Sequence, residues 1–209
     1  MPTTTNNGWT IPADTDLVKD GAAAIRTLGN AIDTTLGVYS PSTAGLVKIS
    51  TTTFSAVSSQ AFNSVFSSTY DNYKIVVSNL THSAGGVGVN MRLRKSGTDD
   101  SSTNYIRQYV DANGTTLAAA RPGTDTLWLT LLPATGTENG YSEITIFNPN
   151  NATIKTGIIG GFPYNGTTLV SQTYYGVHNV GTSANYDGFN LIPGSGTISG
   201  TVSVYGYAK

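Results

Sequence analysis

Two histidines, His82 and His178, are the only imidazoles in the chain, and cysteine is absent. These two facts bound the chemistry. A thiolate nucleophile, a thiolate metal site and a disulfide framework all need the residue that is missing. Neither histidine has a second ligand at the i, i+4 spacing of a helical metal site. His82 follows Thr81 in a Ser- and Gly-rich stretch and His178 precedes Asn179, so both read as surface-loop or hydrogen-bonded polar residues. Carboxylates are scarce. Asp99 and Asp100, beside Ser101 and Ser102, have oxygen donors of the kind Ca²⁺ takes, but read as a solvated loop. Glu138 and Glu143 flank Asn139-Gly140, and nothing in their spacing brings two carboxylates across a cleft, as glycoside hydrolysis requires. Gly85-Gly86 and Gly160-Gly161 precede no helical pattern and read as turns or bulges rather than phosphate cradles. The expectation is a protein without catalysis, metal or cofactor.

Only one stretch has helical character, Thr15 to Gly37. Val18, Ile25 and Ile32 stand seven apart with Leu28 and Leu36 on the intervening turns, a narrow stripe suited to a seam between parallel helices. Thr15 or Asp16 can serve as N-cap, Asp20 lies where the helix dipole favours anions, and Gly37 can close the helix. Gly21 and Gly29 each cost roughly 1 kcal/mol against Ala, so a lone helix is marginal and is expected to pack on copies of itself. Before it, residues 1–14 read as an extended arm with two prolines. Trp9 and Ile11 on that arm are expected to anchor in the chain's own body or in a partner's groove. Residues 38–52 form a linker around Pro41 that turns strand-like near Leu46.

From 53 to 209, short apolar segments are separated by Gly, Asn and Asp clusters without helical periodicity. The predicted class is all-β: an antiparallel β-sandwich or jelly roll preceded by one N-terminal α-helix. Alternation assigns faces. Tyr73, Ile75 and Val77 share one face, and Met91 and Leu93 another, so Ile75, Val77, Met91 and Leu93 are predicted core. In 126–132 the leucines Leu127, Leu129 and Leu131 are assigned inward, which sets Trp128 outward. In the last strand Ile198, Val202 and Val204 oppose Tyr205 and Tyr207. Trp128, Tyr205 and Tyr207 are therefore expected to be covered by a neighbouring subunit.

Charged residues make up 11% of the chain and the net charge is −1, which predicts neither a nucleic-acid footprint nor an acidic tail. No leader-like start and no apolar run of about 18 residues is present in the sequence, so membrane insertion is not expected.

The segments FNSVFSSTYDNYKIVVSNL, MRLRKSGTDDSSTNY and GTISGTVSVYGYAK resemble the β-structured module of tail fibres, minor tail proteins and other virion structural proteins of tailed bacteriophages. The opening IPADTDLVKDGAAAIRTLGNAIDTTLG resembles the N-terminal segment of many such proteins. The resemblance covers the helix and both ends of the body. It implies a homotrimer attached to the virion and to other virion proteins by its N-terminus, with a distal β domain; the missing leader-like pattern adds the expectation that it is made in the host cytoplasm. The implied task is attachment to the host surface, with Tyr164, Tyr174 and Tyr186 as stacking faces for glycan. The alternative is a head fibre, capsid decoration or tail component that cements other subunits.

Overall fold

The computed structural model describes residues 3–5, 7–11, 13, 17–38, 45–84, 87–131, 140–165, 169–179 and 185–209. The chain divides into two compact units, Met1–Gly45 and Leu46–Lys209.

In the first unit the helix α1 spans Val18–Val38. Three threonines sit in its interior, where β-branching is unfavourable. Each bonds back to the preceding turn: Thr27 to the Ala23 carbonyl, Thr34 to Asn30 and Thr35 to Ala31. The capping positions 15 and 16 lie outside the described residues. The arm is not extended. Thr3 and Thr10 form an antiparallel bridge, and the amide of Thr4 donates to the Trp9 carbonyl. Gly8, at φ 65°, donates to Thr4 and makes the reversal, a conformation glycine adopts without steric cost.

The second unit is built from thirteen strands among its described residues, every pairing antiparallel. They are β1 (Leu46–Val57), β2 (Gln60–Phe62), β3 (Asn72–His82), β4 (Val89–Lys95), β5 (Thr98–Asp99), β6 (Tyr105–Asn113), β7 (Thr116–Ala120), β8 (Trp128–Leu131), β9 (Gly140–Phe147), β10 (Gly157–Asn165), β11 (Leu169–His178), β12 (Gly188–Pro193) and β13 (Ile198–Tyr207). One sheet has eight strands in the order β1-β13-β3-β9-β10-β11-β6-β7. The other has β2-β12-β4-β5, with β8 also on β4. This is a sandwich of unequal sheets rather than the eight-stranded double Greek key of a jelly roll.

The two sheets share one core. Ile75, Val77, Ile144, Ile146, Val202 and Val204 come from the larger sheet and Met91, Leu93, Phe189 and Leu191 from the smaller, all buried. The predicted inward face of β3 and β4 is thus observed. Past Val77 the β3 alternation breaks at a bulge carrying Asn79 at φ 53°, which turns Leu80 back into the core. The Tyr70–Tyr73 turn delivers Tyr73 inward. Its hydroxyl donates to the Ser67 carbonyl and accepts from the Ser67 amide, both at 2.7 Å, which satisfies the buried oxygen.

Trp128 is a correction. It is 0% exposed, at the centre of the core, instead of facing outward. β8 pairs Trp128 with the inward Met91, across a register break between Val89 and Asn90. Its indole N–H donates to the Ile106 carbonyl at 3.2 Å, so the largest apolar side chain enters with its one polar atom satisfied. Leu129 is only half-buried.

Candidate functional site

The titratable residues that sequence scatters are brought together in one enclosed cluster. His178 ends β11, fully buried, with its ring edge-on to Tyr105, Trp128 and Tyr186. Ser102 Oγ lies 3.5 Å from His178 Nε2, Asp100 Oδ2 lies 3.4 Å from the same nitrogen, and the Tyr186 hydroxyl lies 3.2 Å from Nδ1. Tyr186 also donates to Asp100, and the Ser102 amide donates to Asp100 Oδ1 at 2.9 Å.

Burial pushes the His178 pKa down, against the pull of Asp100. Burial also works against the Asp100 charge, but hydrogen bonds from Ser102 and Tyr186 outweigh it and hold that carboxyl below its ordinary value. In a nucleophilic triad the acid orients one ring nitrogen while the serine meets the other. Here acid and serine approach the same nitrogen, and a phenol takes the second. The geometry fits a structural polar network that fastens the segment around Asp100 to β11. The residues around 99 and 100 are therefore no solvated loop: Asp99 pairs with Arg94 and accepts from Asn190 Nδ2 at 2.9 Å. Among the described residues no cluster of three or more His, Asp or Glu side chains could hold a metal.

His82 is also buried, its Nδ1 accepting from the Ala84 amide at 2.9 Å. A second polar chain runs from Arg107, whose guanidinium donates to Gln172 Oε1 and lies over the Tyr109 ring at 4.3 Å. Gln172 Nε2 in turn donates to Asp111 at 2.6 Å.

The other notable surface is the outer face of the eight-stranded sheet, where the register lays out three rungs. Thr145, Ile159, Tyr175 and Gln108 stand side by side on β9, β10, β11 and β6. Glu143, Gly161, Thr173 and Val110 make the next rung. Beyond Glu143 come Tyr141 on β9, Pro163 and Ser171 on β10 and β11, and Ala112 and Leu117 on β6 and β7.

Gly161 leaves the middle of this grid without a side chain. The result is a shallow depression of about 400 Å³ lined by Tyr141, Glu143, Ile159, Pro163 and Thr173. A second, of about 340 Å³, adjoins it at Thr173 and reaches Tyr175 and Gln108. Gly160 does the matching work inward, because a Cβ there would run into the Tyr174 ring. Gly160-Gly161 thus lies mid-strand, not at the turn or bulge expected. Tyr141 and Tyr175 are 62% and 61% exposed. Four residues of rise and two strand spacings separate them, about 17 Å. Lys74 Nζ lies 2.8 Å from Glu143 Oε2, and among the described residues that carboxylate is the only ionised group lining either depression.

The structure distributes the other predicted residues unevenly. Tyr205 is half-buried and Tyr207 partly exposed on the outer face of β13, as their alternation implied. Tyr174 and Tyr186, expected to offer stacking faces on loops, are buried instead, because both face the core from the sandwich interior. The Tyr164 side chain lies outside the described residues. In the helix, Ile25 is 65% exposed, while Leu28 and Ile32 are half-buried; the Val18 side chain is outside the described residues. Trp9 Nε1 donates to Thr35 Oγ1 at 3.1 Å, tying the arm to α1, and Ile11 is half-buried. Sequence reasoning passed over Tyr141 and Tyr175. The signal was there: in 141–147 the alternation of Tyr141, Glu143 and Thr145 against Ser142, Ile144 and Ile146 sets the first tyrosine outward.

No family model, no curated protein and no solved structure matches the chain.

Proposed function

We propose that this chain is a non-enzymatic structural protein of a bacteriophage virion, a homotrimeric fibre or spike subunit. Its N-terminal unit joins the particle through Trp9, Ile11 and the helix, and its β unit meets glycan on the host surface. The observation that carries the reading is the outer face of the larger sheet, where Tyr141 and Tyr175 stand exposed on either side of a glycine-floored depression. Sugars are recognised by ring faces that cover their C–H surfaces and by fixed hydroxyl, amide and carboxylate partners around them. Thr145, Thr173, Gln108 and Glu143 supply the second kind within reach of the first. Among the described lining residues Glu143 alone is ionised and it already has a cation beside it, so the surface suits neutral rather than acidic sugar. The exposed seam residues Ile25 and Leu36 favour association through the helix.

The test is competition. Purified chain, added to susceptible bacteria before the particle, is expected to occupy the cell surface and lower infection. A chain that coats no cells and leaves infection unchanged, while found buried against the shell or tail in the particle, overturns the attachment role in favour of cementing.

A further inference from the structure

The two edges of the eight-stranded sheet are built differently. β1 carries register breaks at Lys48/Ser50 and Phe54/Val57 and a left-handed Ala56 at φ 50°, and bulges of this kind resist addition of another strand. β7 has none of these protections. Thr116–Ala120 runs in unbroken register with β6, contains no charge and no proline, and is exposed at every residue, with Leu117 75% exposed. Such an edge is a template for strand pairing.

We propose that β7 pairs antiparallel with β7 of a second copy of this chain, across a two-fold axis at Ala118. The hairpin fixes which backbone groups are offered. β6 and β7 join through the two-residue turn Gly114-Thr115, with Gly114 at φ 58°, so Asn113 and Thr116 face each other as a pair that exchanges N–H and C=O bonds. Alternation then turns the amides of Thr116, Ala118 and Ala120 towards β6 and those of Leu117 and Ala119 outward.

Across the axis Leu117 meets Ala119 of the copy and Ala119 meets Leu117. About four backbone hydrogen bonds form, and each leucine lies beside a methyl group instead of another leucine. On the strand itself the nearest charge, Arg121, stands three residues from the axis, so its two copies lie about 20 Å apart; Asp111, opposite Ala118 on β6, lies three strand spacings or about 14 Å from its own copy, and both distances exceed the screening length of about 8 Å. The strand is thus complementary to itself in bonding, volume and charge, which is what an isologous contact requires.

Because the chain lacks cysteine, one introduced thiol reports the contact without interference. At the axis the Ala118 pair is a non-hydrogen-bonded one with Cα atoms about 4.5 Å apart, within disulfide range, whereas two Thr116 residues would be about 14 Å apart. Ala118→Cys is expected to yield covalent dimers on mild oxidation, and Thr116→Cys is not. Ala119→Pro removes only an outward amide and spares the bonds to β6, as proline at an edge can. It is expected to halve the wild-type mass in sedimentation with an unchanged far-ultraviolet spectrum, independently of any association through α1. No dimer from Ala118→Cys, equal crosslinking of both thiol variants, or an unchanged mass for Ala119→Pro would overturn the proposal.

Discussion

His178 is fully buried and sits among three aromatic rings, so its positive form is penalised in the folded chain. Its folded pKa lies below the unfolded value of about 6.5, so on acidification the unfolded chain takes up the proton first. The stability it contributes is complete above about pH 6.5 and declines as the pH falls below that. Asp100, also held low, contributes above about pH 3.9 and is lost on further acidification. Both act in the same direction, in successive windows. The urea midpoint of the wild-type chain is expected to drop between about pH 7 and about pH 5, and that drop should be smaller in His178→Gln. Equal pH dependence in the two proteins would contradict the enclosed imidazole.

At the same scale, Gly188 illustrates a close approach that composition conceals. A Cβ there would run into the Phe62 carbonyl oxygen on the neighbouring β2. Gly188→Ala is expected to cost about 1–3 kcal/mol, read as a lower denaturant midpoint with an unchanged slope. Wild-type stability in this variant would mean that β2 moves aside freely. The residues of β3, β4 and β13 were legible in sequence because alternation over several positions leaves one face no choice. Trp128 was not: three leucines outvoted one tryptophan on hydrophobicity, although an indole whose N–H finds a carbonyl buries more surface than any of them. Tyr174 and Tyr186 were misread for a related reason, since a tyrosine in a polar sequence looks exposed until a buried partner for its hydroxyl is found.

Among the elements, the helix end points were readable from periodicity within a few residues, but the arm before it was not. Prolines and small polar residues predicted extension, while the Gly8 turn and the Thr4 hydroxyl, which accepts from the Trp9 amide at 3.0 Å, fold it back. Of the stripe marked for a seam, α1 leaves Ile25 and Leu36 uncovered and Leu28 and Ile32 half-buried. Replacing Ile25 and Ile32 together by Asp is expected to abolish association through the helix without unfolding the β unit. Analytical ultracentrifugation measures the first and the thermal transition of the sandwich the second. A mass unaffected by the double substitution would remove the seam. The β10 strand shows how an element positions a site without supplying ligands. Gly160 makes room for Tyr174 below, Gly161 opens the depression above, and both follow from one Gly-Gly pair in a strand paired on both sides.

For the molecule as a whole, the sandwich was legible because turn residues punctuate the sequence often enough to exclude helices and crossover units. Which strands share a sheet was not, since β13 joins β1 to β3 and β9 follows β3 through pairings far apart in the chain. That order decides what the outer face displays, and therefore where Tyr141 and Tyr175 stand relative to each other. The attachment reading depends on that display. Its most direct test is binding of the folded Tyr141→Ala/Tyr175→Ala double variant to susceptible bacteria, measured beside the wild-type chain and in the presence of competing neutral oligosaccharide. The account predicts wild-type binding that the sugar reduces and a variant that binds at least tenfold more weakly, since loss of two stacking rings is worth more than about 1.4 kcal/mol. Undiminished binding by the variant would contradict it.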